Sequence, residues 1–282
     1  MSFWESSFLW RDAVVAACAV GAACAVVGVY MILRRVVFLP AALSQISGLG
    51  VVLAFLLPVW IVQLEGSLLV QAEVLAAVVT LTASLALGWM PEPRGLSRDA
   101  VLGVAYVVAS ALILIIADRI PQDSHDIRDI LFGNAVAVEA RQMMVAVIVS
   151  AFVLLVHALL FRPFLSASFD PETAAAHGVP VRAVDALLFL TVGLTIAAAT
   201  KTIGAMPVFA FAILPAAAGL CVFADTRLVL LAAALVGAAS AFLGYWISFV
   251  GSFPTGPCMA VVSSAFLALA MLYSRIRRGR WC

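Results

Sequence analysis

Apolar stretches alternate with short polar connectors along almost the whole chain. Nine of them, at 13–33, 47–63, 67–89, 99–117, 140–161, 183–200, 204–223, 226–249 and 256–274, are mostly 18–24 residues long. About 20 apolar residues in an α-helix cross the ~30 Å hydrocarbon layer of a bilayer. Lipid offers no partner to backbone N–H and C=O groups, so a helix, which pairs them internally, is the form such stretches take. The pattern predicts an all-α, polytopic helical membrane protein with about nine spans, and residues 1–282 read as a single transmembrane domain.

The basic residues orient that array. Placing Arg34 and Arg35 in the cytoplasm also puts Arg94, Arg98, Arg162, Arg182, Arg227, Arg275, Arg277, Arg278 and Arg280 there, eleven in all. The opposite side keeps Arg11, Arg119, Arg128, Arg141 and Lys201. Cytoplasmic loops are enriched in Lys and Arg, so the expectation is an N-terminus outside and a C-terminus in the cytoplasm. The segment before the first stretch holds Glu5 and Asp12 beside Arg11. That is not the basic start of a signal peptide, so the first stretch is read as a retained span.

Composition narrows the class further. Hydrophobic residues make up 65% and charged residues 11% of the chain, against roughly 45–50% and ~25% in soluble domains. A net charge of +1 argues against a nucleic-acid partner. Cys18, Cys24, Cys221, Cys258 and Cys282 follow neither a CxxC nor a paired spacing, so they read as small packing residues.

Two connectors carry more than a turn. The outer one, 118–139, contains Asp118, Asp123, His125, Asp126 and Asp129, then the short apolar piece Ile130-Leu131-Phe132-Gly133-Asn134. The acidic group reads as a solvated or partner-docking face, and the apolar piece is too short to span. The inner connector, 162–182, spells out a helix. Asp170 is a good N-cap, Pro171 suits the first helical position, Glu172 favours the positive helix end, Gly178 ends it and Pro180 prevents its continuation. A helix of about two turns is not stable alone, which points to a contact surface on the cytoplasmic face.

Catalytic chemistry is missing. There is no GxxxxGK[ST] loop, and Lys201 is the chain's one lysine, so ATP cannot be held by a P-loop here. His157 reads as a satisfied polar group near the inner interface, and Met143 and Met144 as packing residues. The polar residues at membrane depth are the remaining site signal, because each is costly unless satisfied. Ser44, Gln45 and Ser47 open the second span. The Gln45 amide can coordinate a cation or bond a neighbouring helix, and Asn134 has the same two readings. Gly204, Pro207, Pro215 and Gly219 interrupt the seventh stretch and Pro254, Gly256 and Pro257 open the ninth, a pattern that favours a pathway over a rigid anchor.

The run Phe169-Asp170-Pro171-Glu172-Thr173-Ala174-Ala175-Ala176-His177-Gly178-Val179 resembles the cytoplasmic FDPE-x-A-x-x-x-G segment of metal-type ATP-binding-cassette permeases, the membrane subunits of zinc, manganese and iron importers. Leu33-Arg34-Arg35, Ala42-Leu43-Ser44, Ile130 through Asn134, Gly204 through Ala217 and Ser248 through Pro257 follow in that family's order. The resemblance implies a type II importer-like permease in a bacterial cytoplasmic membrane, working as a homodimer by alternating access. It implies partners: a cytoplasmic ATPase that holds ATP and Mg, and an extracytoplasmic metal-binding protein. The chain itself is then no enzyme and carries no cofactor. Asp170, Pro171, Glu172, Ala175 and Gly178 would form the ATPase-coupling element, and Ser44, Gln45, Ser47 and Asn134 would border the translocation path. Where the family reads Asp-Ala-Leu-Ser-His, this chain reads Ala41-Ala42-Leu43-Ser44-Gln45, lacking the expected metal ligands. A self-contained secondary transporter or channel, or an importer with a changed substrate, is the alternative.

Overall fold

The computed structural model describes residues 7–60, 72–90, 95–118 and 138–278. Their long helices are α1 (Ser7–Leu33), α2 (Leu39–Trp60), α3 (Ala72–Trp89), α4 (Arg98–Ala117), α5 (Ala140–Leu159), α8 (Val181–Ile203), α9 (Ala205–Val222), α10 (Thr226–Gly251) and α11 (Thr255–Arg278). Two short ones, α6 (Phe161–Phe169) and α7 (Pro171–Ala176), fill the connector between α5 and α8. Eight of the long helices are long and apolar enough to cross a membrane, and the apolar part of α3, Val74–Trp89, is shorter. The outer connector's Asp123, His125, Asp126, Asp129 and Asn134 lie outside the described residues.

Small residues decide the packing. Lipid chains are as apolar as leucine, so helices associate through close contact rather than through expulsion of water. α1 is the axis, packed against α10, α9, α5 and α8. A Cβ on Gly28 would lie 1.5 Å from the Ala212 carbonyl oxygen of α9, so the two backbones cross at that residue. Several buried hydroxyls find partners close by. On α8, Thr191, Thr195 and Thr200 donate to carbonyls three or four residues earlier, and Ser84 of α3 donates across to Phe189 of α8 at 2.6 Å.

Two sequence readings need correction. The second helix begins at Leu39, eight residues before the apolar stretch, because Pro40 fits a first turn and Ser44, Gln45 and Ser47 are accommodated inside the bundle. These three residues therefore sit within α2 rather than at its opening. The seventh stretch is not interrupted: α9 runs unbroken through Pro215, with Pro207 in its first turn, where no amide is needed. Gly204 lies before the helix. At φ +86° and ψ 164° it occupies backbone space that only glycine enters readily, and it turns α8 directly into α9.

Candidate functional site

A cleft of about 330 Å³ opens between α2, α4 and α9. Ala41, Ser44 and Gln45 come from α2, Tyr106, Ser110, Ile113 and Leu114 from α4, and Ala205, Met206 and Phe209 from the first turns of α9. Ala41 and Gln45 are four residues apart, hence on one helical face. Ser44 donates to the Ala41 carbonyl at 2.8 Å and Ser110 to the Tyr106 carbonyl at 2.8 Å. With both hydroxyl protons engaged along their own helices, their oxygens and the Gln45 amide face the cleft as neutral donors. Such oxygens suit hard cations and hold transition metals weakly compared with carboxylate and imidazole. Among the described residues, no three His, Cys, Asp or Glu side chains gather in one place. Ser47 is buried in α2 and does not line the cleft, so three of the four path residues are described and two border the opening. Tyr106, Ser110, Met206 and Phe209 escaped the sequence reading; Tyr106 and Ser110, hydroxyls in an apolar stretch, gave a signal.

The second part of the site is the inner connector. Asp170 caps α7: one carboxylate oxygen accepts from the Thr173 amide at 3.0 Å and the other from the Thr173 hydroxyl. Those two donations, the hydroxyl first, hold the Asp170 carboxyl below its ordinary range. Gly178, at φ +81°, ends the helix, its amide bonding Ala175 while that of Val179 returns to Ala174. Asp170, Pro171, Glu172, Ala175 and Gly178 are all exposed, whereas Ala174 is buried. The sequence-read helix thus exists, and the five residues assigned to it present one solvent-facing surface.

What joins the two helices flanking α7 to the bundle was not read from sequence. Arg34, at the end of α1, donates to Asp185 of α8 at 2.7 Å and to Ser168 of α6 at 3.0 Å. Its side chain is only 10% exposed, while that of Asp185 is 27% exposed, so the pair is shielded from water chiefly on the Arg34 side. Arg34 therefore joins the elements on both sides of α7. Beneath α6, the rings of Tyr30, His157 and Phe164 pack at centroid distances of 4.9–5.8 Å. His157 Nδ1 meets the Val153 carbonyl at 2.9 Å, while His157 Nε2 and the Tyr30 hydroxyl have no hydrogen-bond partner among the described residues. One ring nitrogen is satisfied as expected; the other is not.

Comparison with known proteins gives a consistent result. The family model described as the ABC 3 transport family matches residues 6–274. The chain is 31% identical to the manganese transport system membrane protein MntC of Halalkalibacterium halodurans, over 94% of this chain and 87% of that protein. It is 29% identical to the chelated iron transport system membrane protein YfeD of Yersinia pestis, over 95% and 86%. Among solved structures, PsaBC from Streptococcus pneumoniae in complex with Fab superposes with a TM-score of 0.81 at 25% identity, covering 95% of this chain and 94% of that one.

Proposed function

The chain belongs to the ABC 3 transport family, and from that premise we propose that it is the permease subunit of an ATP-driven importer for divalent manganese or iron. The observation that carries this reading is α7: a capped, exposed helix whose flanking helices, α6 and α8, are joined by Arg34 to the end of α1. Such an element has no use in a self-contained transporter. It suits a chain whose driving force comes from a separate ATPase bound at the cytoplasmic face.

Two copies of the chain form the path, and ATP with Mg is held by the ATPase subunits. An extracytoplasmic metal-binding protein delivers the ion to the outer end, near Lys201 and Gly204. Alternating access follows if movement of α7 passes into α8 and α9, whose first turns wall the cleft. Relatives named for manganese and iron transport support the choice of cargo. The neutral donors around Gln45 fit weak, transient passage rather than tight holding.

Reconstitution in liposomes tests this. The chain alone accumulates no manganese, and addition of its ATPase and ATP produces uptake. Accumulation by the chain alone, driven by a proton or sodium gradient, overturns the proposal.

A further inference from the structure

α5 and α10 both pack on α1 but barely meet each other. The slot between them has a volume of about 580 Å³, with Val26 of α1, Leu154 of α5, and Leu230 and Ala234 of α10 among its walls. Its mouth carries Arg162, at the start of α6, and Arg227, in the first turn of α10. The Arg227 guanidinium lies 5.6 Å from the centre of the Phe161 ring, next in sequence to Arg162. Neither arginine forms an ion pair among the described residues. The nearby Asp225 carboxylate is occupied in capping α10, accepting from the Arg227 backbone amide at 2.9 Å. Ala234 is seven residues beyond Arg227, about 10 Å deeper along the helix. The site thus pairs two cationic groups with a mostly apolar groove beside them.

We propose that this slot binds an anionic phospholipid of the leaflet on the α7 side, its phosphate between Arg162 and Arg227 and an acyl chain against Leu154, Leu230 and Ala234. Charge complementarity selects an anionic headgroup over a neutral one, and the apolar lining suits an acyl chain. Basic pockets between helices at the cytoplasmic end of a bundle recognise acidic headgroups in this manner. Arg162 precedes the α6–α7 connector, so an occupied slot braces the base of the coupling element. The leaflet rests on the orientation proposed above; the site itself does not.

Native mass spectrometry of the full chain in mild detergent, titrated with phosphatidylglycerol or phosphatidylcholine, tests the proposal. Phosphatidylglycerol should be retained in preference to phosphatidylcholine. The Arg162→Ala/Arg227→Ala variant should bind it about 10- to 30-fold more weakly, the scale of two arginines at a lipid surface. Arg162→Lys/Arg227→Lys should keep most of the binding, and Ala234→Trp should lose it with both arginines in place. Equal retention of the two lipids, wild-type binding by the double alanine variant, or full displacement by millimolar inorganic phosphate overturns the proposal. So does efficient disulfide cross-linking of Leu231→Cys between two copies, which assigns the slot to a dimer contact. Lipid retention is read without transport, so failure here leaves the importer reading standing, and failure of uptake leaves the lipid site standing.

Discussion

At Gly28 there is no room for even one methyl group. A Cβ there meets the Ala212 carbonyl carbon and oxygen of α9, and neither backbone atom can rotate away. Gly28→Ala should therefore force α1 and α9 apart, costing about 1–3 kcal/mol and lowering the thermal midpoint of the purified protein in detergent; an unchanged midpoint rules out the tight crossing. Arg34 presents the opposite case, a polar residue that is needed. Its partner lies 151 positions away, and removing Asp185 leaves a largely buried guanidinium short of its partner. Arg34→Ala and Asp185→Ala should each destabilise, with a coupling of about 1–3 kcal/mol in a double-mutant cycle. Additive losses in chemical denaturation would contradict the pairing. No local pattern revealed this contact: positive charge after a span is what orientation alone demands, and the choice of Asp185 is set by how the helices pack.

At the scale of elements, α7 was legible because caps are local. Asp170 and Gly178 sit at the positions where an N-cap and a left-handed terminus act, and no distant contact is required to recognise them. Since the Asp170 carboxyl is held below its ordinary range, its contribution is complete above the unfolded value of about 4. It is lost as pH falls through the lower folded value. Hydrogen-exchange protection of the Thr173 amide should stay flat from neutral pH to about 4 and drop only below it; a decline between pH 7 and 5 would contradict the cap. Asp170→Arg or Gly178→Trp should abolish most ATP-dependent uptake while the chain still reaches the membrane, and undiminished uptake would remove α7 from the coupling role.

α2 was misread at its start for the opposite reason. Hydropathy marks where lipid ends, whereas Ser44 and Gln45 are tolerated because α4 and α9 cover them. Their shared face makes a further test possible. Ala41→Asp with Gln45→His restores a carboxylate and an imidazole four residues apart on the cleft wall, and should raise manganese affinity. Unchanged binding by calorimetry would place the ion elsewhere. The cleft's remaining walls, from α4 and α9, come together only in three dimensions, which is why sequence pointed to Gln45 without its surroundings.

Across the whole molecule, burial is uneven. In the apolar stretch of α1, 72% of residues are buried, against 17% in α4 and 22% in each of α5 and α11. A chain with so much side-chain surface at its periphery can meet lipid there, or a second copy. The proposed pairing predicts a protein mass of twice 29.6 kDa by light scattering in mild detergent, and a strictly monomeric particle at every concentration would count against it. The apolar count sufficed for the class and for the nine long helices among the described residues, since it is a sum over the chain.

A single residue, Gly204, separates the last turn of α8 from the first turn of α9. No slack exists at that corner to absorb a push. If the proposed coupling holds, a tilt at the Val181 end of α8 should swing Met206 and Phe209 toward or away from Gln45, as a rocker arm on one pivot converts a stroke at its foot into a valve movement at its head.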